Sequence, residues 1–139
     1  MFELIIVLAI VALIAVIVVG RRLPVSAGTT ARATAVEIAA ALRQARAEAI
    51  AEDRPVGLVV NVNSRLYRVG TAPARAIPQI VQIKMLTTQG EVFSASEARI
   101  LFNPDGSSGG GEIDITGGDR SLAVLVDWLT GRVTIGPHT

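Results

Sequence analysis

The chain has no cysteine and only one histidine, one tryptophan and one tyrosine among its 139 residues. Without cysteine it forms no disulfide, offers no thiol nucleophile and builds no thiolate metal site, although this absence does not fix the compartment. The single histidine, His138, stands next to the C-terminus. A His-based zinc site or a Ser-His-Asp triad would have to rest on that position. We read His138 as a solvated tail residue, which leaves enzyme chemistry with little to work with. An excess of one charge is also missing: 13 Lys and Arg stand against 12 Asp and Glu, a formal net charge of +1. No strong field therefore directs the protein to nucleic acid or to an anionic membrane. There is no internal repeat and no low-complexity tract.

Apolar residues, by contrast, make up 50% of the chain and are unevenly spread. The opening MFELIIVLAIVALIAVIVVG holds an unbroken apolar run from Leu4 to Val19, about 24 Å long as a helix. Apolar side chains fall on every side of that helix, which argues against a one-sided surface helix. A cleaved secretory signal would want basic residues before the run and small residues after it. Val25-Ser26-Ala27 passes as a cleavage site, but the front carries Glu3 and no Lys or Arg. A buried core helix would need a larger head to enclose it. A membrane-spanning or membrane-stored helix fits best, and the positive-inside rule then puts Arg21 and Arg22 on the cytoplasmic side unless basic residues upstream of Met1 hold that side instead. Glu3 is costly inside a span but cheaper near its edge. It either snorkels from the headgroup layer to water or has a partner.

Pro24 is expected to kink or interrupt the helix. Thr29 or Thr30 then caps a second helix running to about Asp53, alanine-rich and of high helical propensity. Ile38, Leu42, Ala45 and Ala49 mark its apolar face, and Arg43, Arg46 and Glu48 decorate the others. Pro55 forbids further helix. From Val56 the period changes to two. Val56, Leu58, Val60 and Val62 alternate before a turn at Asn63-Ser64 and a return through Leu66 to Val69, which reads as a hairpin. QIVQIKML and ARILFN supply further strands. In EIDITGG, Ile113 and Ile115 face in while Glu112 and Asp114 face out. SLAVLVDWLTGRVTI is a last hairpin that turns at Thr130-Gly131. A Pro- and Ala-rich loop, TAPARAIPQ, follows the first hairpin. The expected architecture is α+β: residues 1–20 an apolar helix, 21–54 its kinked amphipathic continuation, and 55–139 an antiparallel head of six to eight short strands.

FNPDGSSGGGEI is the most unusual soluble stretch. In Pro104-Asp105-Gly106, Pro fixes φ, Asp bonds the following backbone and Gly accepts positive φ. A phosphate cradle is one functional reading, but no GK[ST] follows and strands flank the loop. Asp105 is a candidate Ca²⁺ ligand, yet an EF-hand-like series of oxygen ligands is missing. We read the stretch as a structural turn between strands. An anchored or secreted hydrolase would have to use a Ser or Thr nucleophile with Asp105 or Asp127 nearby.

Three features coincide: the run ELIIVLAIVALIAVIVV behind a glutamate, the helix AAALRQARAEAIAEDRPVGLVV, and a β head containing FNPDGSSGGGEI and VDWLTGRV. Together they resemble the type IV pilin-like class, with its shared GFTLIELLVVLAIIALL beginning. Within that class the chain is similar to the minor pseudopilin H family of type II secretion, grouped with the FimT minor pilins. The resemblance covers nearly the whole chain. It implies a type IV pilin-like fold in which a long N-terminal helix, membrane-spanning in its first half, packs on an antiparallel sheet. Glu3 matches the glutamate five residues after the prepilin-peptidase cleavage point, which meets the free N-terminal amine of a neighbouring subunit; charge pairing in a low-dielectric bundle offsets its desolvation. Leu4, Ile5, Leu8, Ile10, Leu13, Ile14 and Ile17 would form the membrane and filament-core helix. Pro104, Asp105, Gly106 and Ser107 match the family's loop motif, as a structural element.

The resemblance also implies a non-enzymatic subunit without cofactor or metal, processed by prepilin peptidase and methylated. Its single pass would lie in the bacterial inner membrane with the head in the periplasm. Its partners would be other major and minor pseudopilins and, at the head, secreted substrate proteins. It would act near the tip of a short pseudopilus in the export of folded proteins across the outer membrane. The alternative within the same architecture is a FimT-type minor pilin in type IV pilus assembly or DNA uptake. That use of DNA needs a basic stripe, for which the C-terminal tail offers only Arg132. Aligning Glu3 puts Met1 at about the third mature position, so the family's basic leader, ending in glycine before a phenylalanine, is expected upstream. Pro24 lies a few positions later than the proline usual in pilins.

Overall fold

The computed structural model describes residues 1–20, 26–87, 92–94 and 96–138. Arg21, Arg22, Pro24 and Val25 lie outside the described residues, and with them the expected kink, the flanking charges and most of the candidate cleavage site.

Two helices precede the strands: α1 (Phe2–Gly20) and α2 (Ala27–Ala51). The cap of α2 is Ser26, one helical turn earlier than Thr29 or Thr30. Ser26 holds φ −62° and ψ 144°, and its hydroxyl accepts from the Thr29 amide at 3.2 Å. An N-cap needs this extended backbone together with a side-chain acceptor. Thr29 and Thr30 are already helical and sit in the first turn. The helix stops at Ala51, just short of Asp53, whose φ of 49° is incompatible with a further turn. Ala31, Ala35, Ile38, Leu42, Ala45 and Ala49 carry no exposed surface. Their spacing of three and four residues makes one continuous face, and its methyl groups let the strands lie close to the helix axis.

The strands are β1 (Val56–Asn61), β2 (Leu66–Val69), β3 (Arg75–Ala76), β4 (Gln82–Leu86), β5 (Val92–Ser94), β6 (Glu97–Phe102), β7 (Gly111–Gly117), β8 (Arg120–Val126) and β9 (Val133–Pro137). They form two antiparallel sheets, ordered β3-β2-β1-β6-β5 and β4-β7-β8-β9. The expected count of six to eight is exceeded because β3 and β5 are too short to leave a periodic signal. β3 arises inside the Pro- and Ala-rich loop. That loop is fastened by Arg65, whose guanidinium donates to the carbonyls of Pro78 and Val81.

Helix α2 lies against strands of both sheets. The core therefore lies between its alanine face and Leu58, Val60, Ile100, Phe102, Ile113, Ile115 and Val124, all fully buried. Two expectations are corrected within the strands. β1 ends at Asn61, so Val62 does not extend the inward row and is exposed. The Asn61 carboxamide instead accepts from the Ser64 amide and begins the turn. Ile113 and Ile115 do face in, but Asp114 is buried as well. It points to the opposite face of the sheet, where His138 covers it.

Among the described residues no helix is long and apolar enough to cross a membrane.

Candidate functional site

Three places carry the chemistry, and the first is α1. Leu4, Ile5, Leu8, Ile10, Leu13, Ile14 and Ile17 are all exposed, each with 47% or more of its surface open. This chain buries none of them. Covering such a side chain stabilises it by about 1.5–3 kcal/mol, so α1 as a whole holds on the order of 10 kcal/mol of unused apolar surface. Glu3 sits exposed in the first helical turn. There the free amides and the helix dipole favour a carboxylate.

The second place joins the two turns that the sequence reading treated separately. In the loop after β6, Asp105 Oδ1 accepts from the Ser107 amide at 2.9 Å and the Ser107 hydroxyl at 2.6 Å. These bonds, the hydroxyl first, hold the Asp105 carboxyl below its ordinary value of 3.8. Gly106 takes φ +84°. In the β8–β9 turn, Asp127 Oδ1 accepts from the Leu129 and Thr130 amides and from the Thr130 hydroxyl. The Thr130 amide is the leading cause of a lowered Asp127 pKa, and the Arg132 charge contributes least. The two turns dock on each other. A Cβ on Gly131 (φ +63°) would lie 2.1 Å from the Gly106 carbonyl oxygen, so only glycine allows this approach. Arg46 Nε of α2 donates to that same oxygen at 3.1 Å, and Arg43 donates to the Val133 carbonyl at 3.2 Å. Two charges read from the sequence as helix decoration are thus ties between α2 and the head.

This geometry decides the chemistry of the loop. The amides of Asn103, Gly106, Ser107, Ser108, Gly109 and Gly110 all donate within the protein. An anion would find few of the backbone donors that a phosphate cradle requires. Asp105 spends its Oδ1 on Ser107 and belongs to no cluster of metal-ligating side chains among the described residues, which suits a turn better than a Ca²⁺ site. Pro104, Asp105, Gly106 and Ser107 form one turn, closed by the bonds from Ser107 to Asp105. What sequence reasoning missed is the side chain this platform presents. Trp128 and Leu129, at the tip of the β8–β9 turn, are 66% and 64% exposed. The signal was available: the chain's only tryptophan stands in a polar turn.

The third place is the outer face of the four-stranded sheet. His138 is no free tail. Its amide donates to the Ser121 carbonyl, extending the β8–β9 pairing, and its Nδ1 lies 3.0 Å from Asp114 Oδ1 and 3.6 Å from a Glu112 carboxylate oxygen.

A family model, Type II transport protein GspH, matches residues 34–131, the stretch that holds most of α2, strands β1 to β8 and the two docked turns. The chain belongs to the GspH family. It is 28% identical to Type II secretion system protein H of Xanthomonas campestris pv. campestris, over 99% of this chain and 81% of that one. The fold is pilin-like. The minor pseudopilin EpsH of Vibrio cholerae superposes with a TM-score of 0.64 at 14% identity, covering 82% of this chain and 99% of that one. The type IV minor pilin FimU of Pseudomonas aeruginosa gives 0.57 at 19% identity, covering 76% and 92%. The GspH match includes Asp105, Gly106, Asp127 and Gly131, so the contact between the two turns belongs to the family's own region of the chain.

Proposed function

We infer that this chain, a type II secretion minor pseudopilin, works by assembly without turnover of its own. The observation that carries this reading is the helix α1, apolar on every side and uncovered within the chain. Such a helix needs a low-dielectric surrounding, and two can supply it in turn. The inner membrane stores the subunit with its head in the periplasm. The core of a pseudopilus then replaces lipid with the helices of other major and minor pseudopilins. Glu3 meets a neighbouring subunit's N-terminal amine, and charge pairing in the bundle offsets the cost of burying its carboxylate. The subunit sits near the filament tip, where the head contacts tip subunits or secreted proteins on their way across the outer membrane. Trp128 and Leu129, held on a turn with every Asp127 bond made internally, are the head's contact point.

The likeness to FimU supports the alternative, a minor pilin of type IV pili, at the level of fold alone. The secretion reading rests on the family match. Replacing Glu3 by alanine separates storage from assembly. Glu3→Ala should reach the membrane fraction at normal levels while its recovery in sheared pseudopilus filaments falls at least about tenfold, the cost of roughly 1.4 kcal/mol per subunit contact. Normal incorporation of Glu3→Ala would refute the role given to that carboxylate.

A further inference from the structure

The group Glu112, Asp114 and His138 has no part in assembly through α1, and its atoms are placed for a different task. Glu112 and Asp114 are two apart on β7 and so share a face. In the register of the sheet, Asp114 pairs with Ala123 on β8, and Ala123 with Gly136 on β9. That row is nearly without side chains, and His138 reaches Asp114 across it. Oxygen atoms of both carboxylates and a ring nitrogen of His138 lie within 4.8 Å of one another.

A cluster of this kind is often only solvated charge. Here Asp114 makes the difference. Its side chain is 10% exposed, and its Oδ1 is fully buried without a hydrogen-bond donor. His138 Nδ1 approaches it at 3.0 Å, close enough for an ion pair but not along a direction that makes a hydrogen bond. A buried carboxylate oxygen without a donor is costly, and a cation between the two atoms would satisfy it. Lys84, opposite Asp114 on β4, is exposed and makes no ion pair there. Two carboxylates against one ammonium keep the local field negative.

We propose that Glu112, Asp114 and His138 form a binding site for one Zn²⁺ ion that ties the segment after β9 to β7. A tetrahedral ion with bonds of about 2.0–2.2 Å holds its ligand atoms about 3.3–3.6 Å apart. The separations of 3.0 and 3.6 Å bracket that requirement with small side-chain movements. An imidazole nitrogen beside two carboxylates selects a borderline transition dication over Ca²⁺ or Mg²⁺, which prefer all-oxygen sites. Three protein ligands leave a fourth position to water, on the side where Glu112 and His138 are part-exposed.

The test is titration of the metal-free full chain, in detergent, with Zn²⁺ alone against a chromogenic chelator. The expected result is one ion per chain, with affinity reduced at least about tenfold in His138→Ala and in Asp114→Asn. His138 is part-exposed and its pairing with β8 runs through the backbone amide, which alanine keeps, so His138→Ala stands as the decisive variant if Asp114→Asn folds poorly. Zn²⁺ should also raise the thermal unfolding midpoint of the native chain but not that of His138→Ala. Equal binding by the native chain and His138→Ala, or stronger binding of Ca²⁺ than of Zn²⁺, would overturn the proposal.

Discussion

The two helices of this chain follow opposite rules. α2 spends one apolar face internally: Ile38 and Leu42, with Ala31, Ala35, Ala39, Ala45 and Ala49, have no exposed area, and Arg43 and Arg46 donate to carbonyls of the head. α1 spends none. Its apolar side chains are larger and point in every direction, yet those described are all exposed. The difference separates what the chain needs in order to fold from what it holds in reserve for other molecules. A helix with one apolar face completes a domain, and a helix apolar all round asks for a bundle or a lipid phase.

Substitutions in the two helices should separate these roles most sharply. Leu42→Ala should lower head stability by about 2–5 kcal/mol in urea unfolding, whereas Leu8→Ala in α1 should leave it within about 0.5 kcal/mol. A comparable loss from both would dissolve the distinction. Gly131→Ala tests the contact between the two turns. The new methyl group meets the Gly106 carbonyl at a positive φ, and the strain should cost about 1–3 kcal/mol. Ser26→Ala removes the cap that starts α2 and should cost about 1 kcal/mol, with no counterpart in α1. Acid should loosen the head at its two docked turns, and more weakly. Asp105 and Asp127 have folded pKa values below the ordinary 3.8, so their stabilisation is complete above that value and is lost as pH falls through the folded values. A chain carrying Asp105→Asn and Asp127→Asn should show a flatter unfolding midpoint between pH 5 and pH 2. Trp128→Ala should change head stability least, within about 0.5 kcal/mol, while weakening cross-linking of the head to neighbouring subunits.

The division between helices was legible in the sequence because periodicity records it: Ile38, Leu42, Ala45 and Ala49 recur at helical spacing, whereas the first run has no polar face at all. The hairpins and the Asp105-Gly106 turn were legible for the same kind of reason, since strand alternation and turn chemistry are local. What escaped depends on long-range packing. No local signal says that Gly131 lies against Gly106, sequence-distant by 25 positions, or that Arg46 ties both turns to α2. His138 was read as a tail residue because nothing near it in sequence shows that β9 carries it back beside Asp114. The split of the strands into two sheets was hidden in the same way, because β4 pairs with β7 across a gap that contains β5 and β6.

The central claim is that the head is complete without α1, and that α1 exists for other subunits. It is tested most directly by comparing the full chain with one beginning at Ser26. The shorter chain should unfold cooperatively at a midpoint within about 2 °C of the full chain, remain monomeric, and be absent from pseudopilus filaments. A shorter chain that fails to fold, or that enters filaments as well as the full one, would contradict the account.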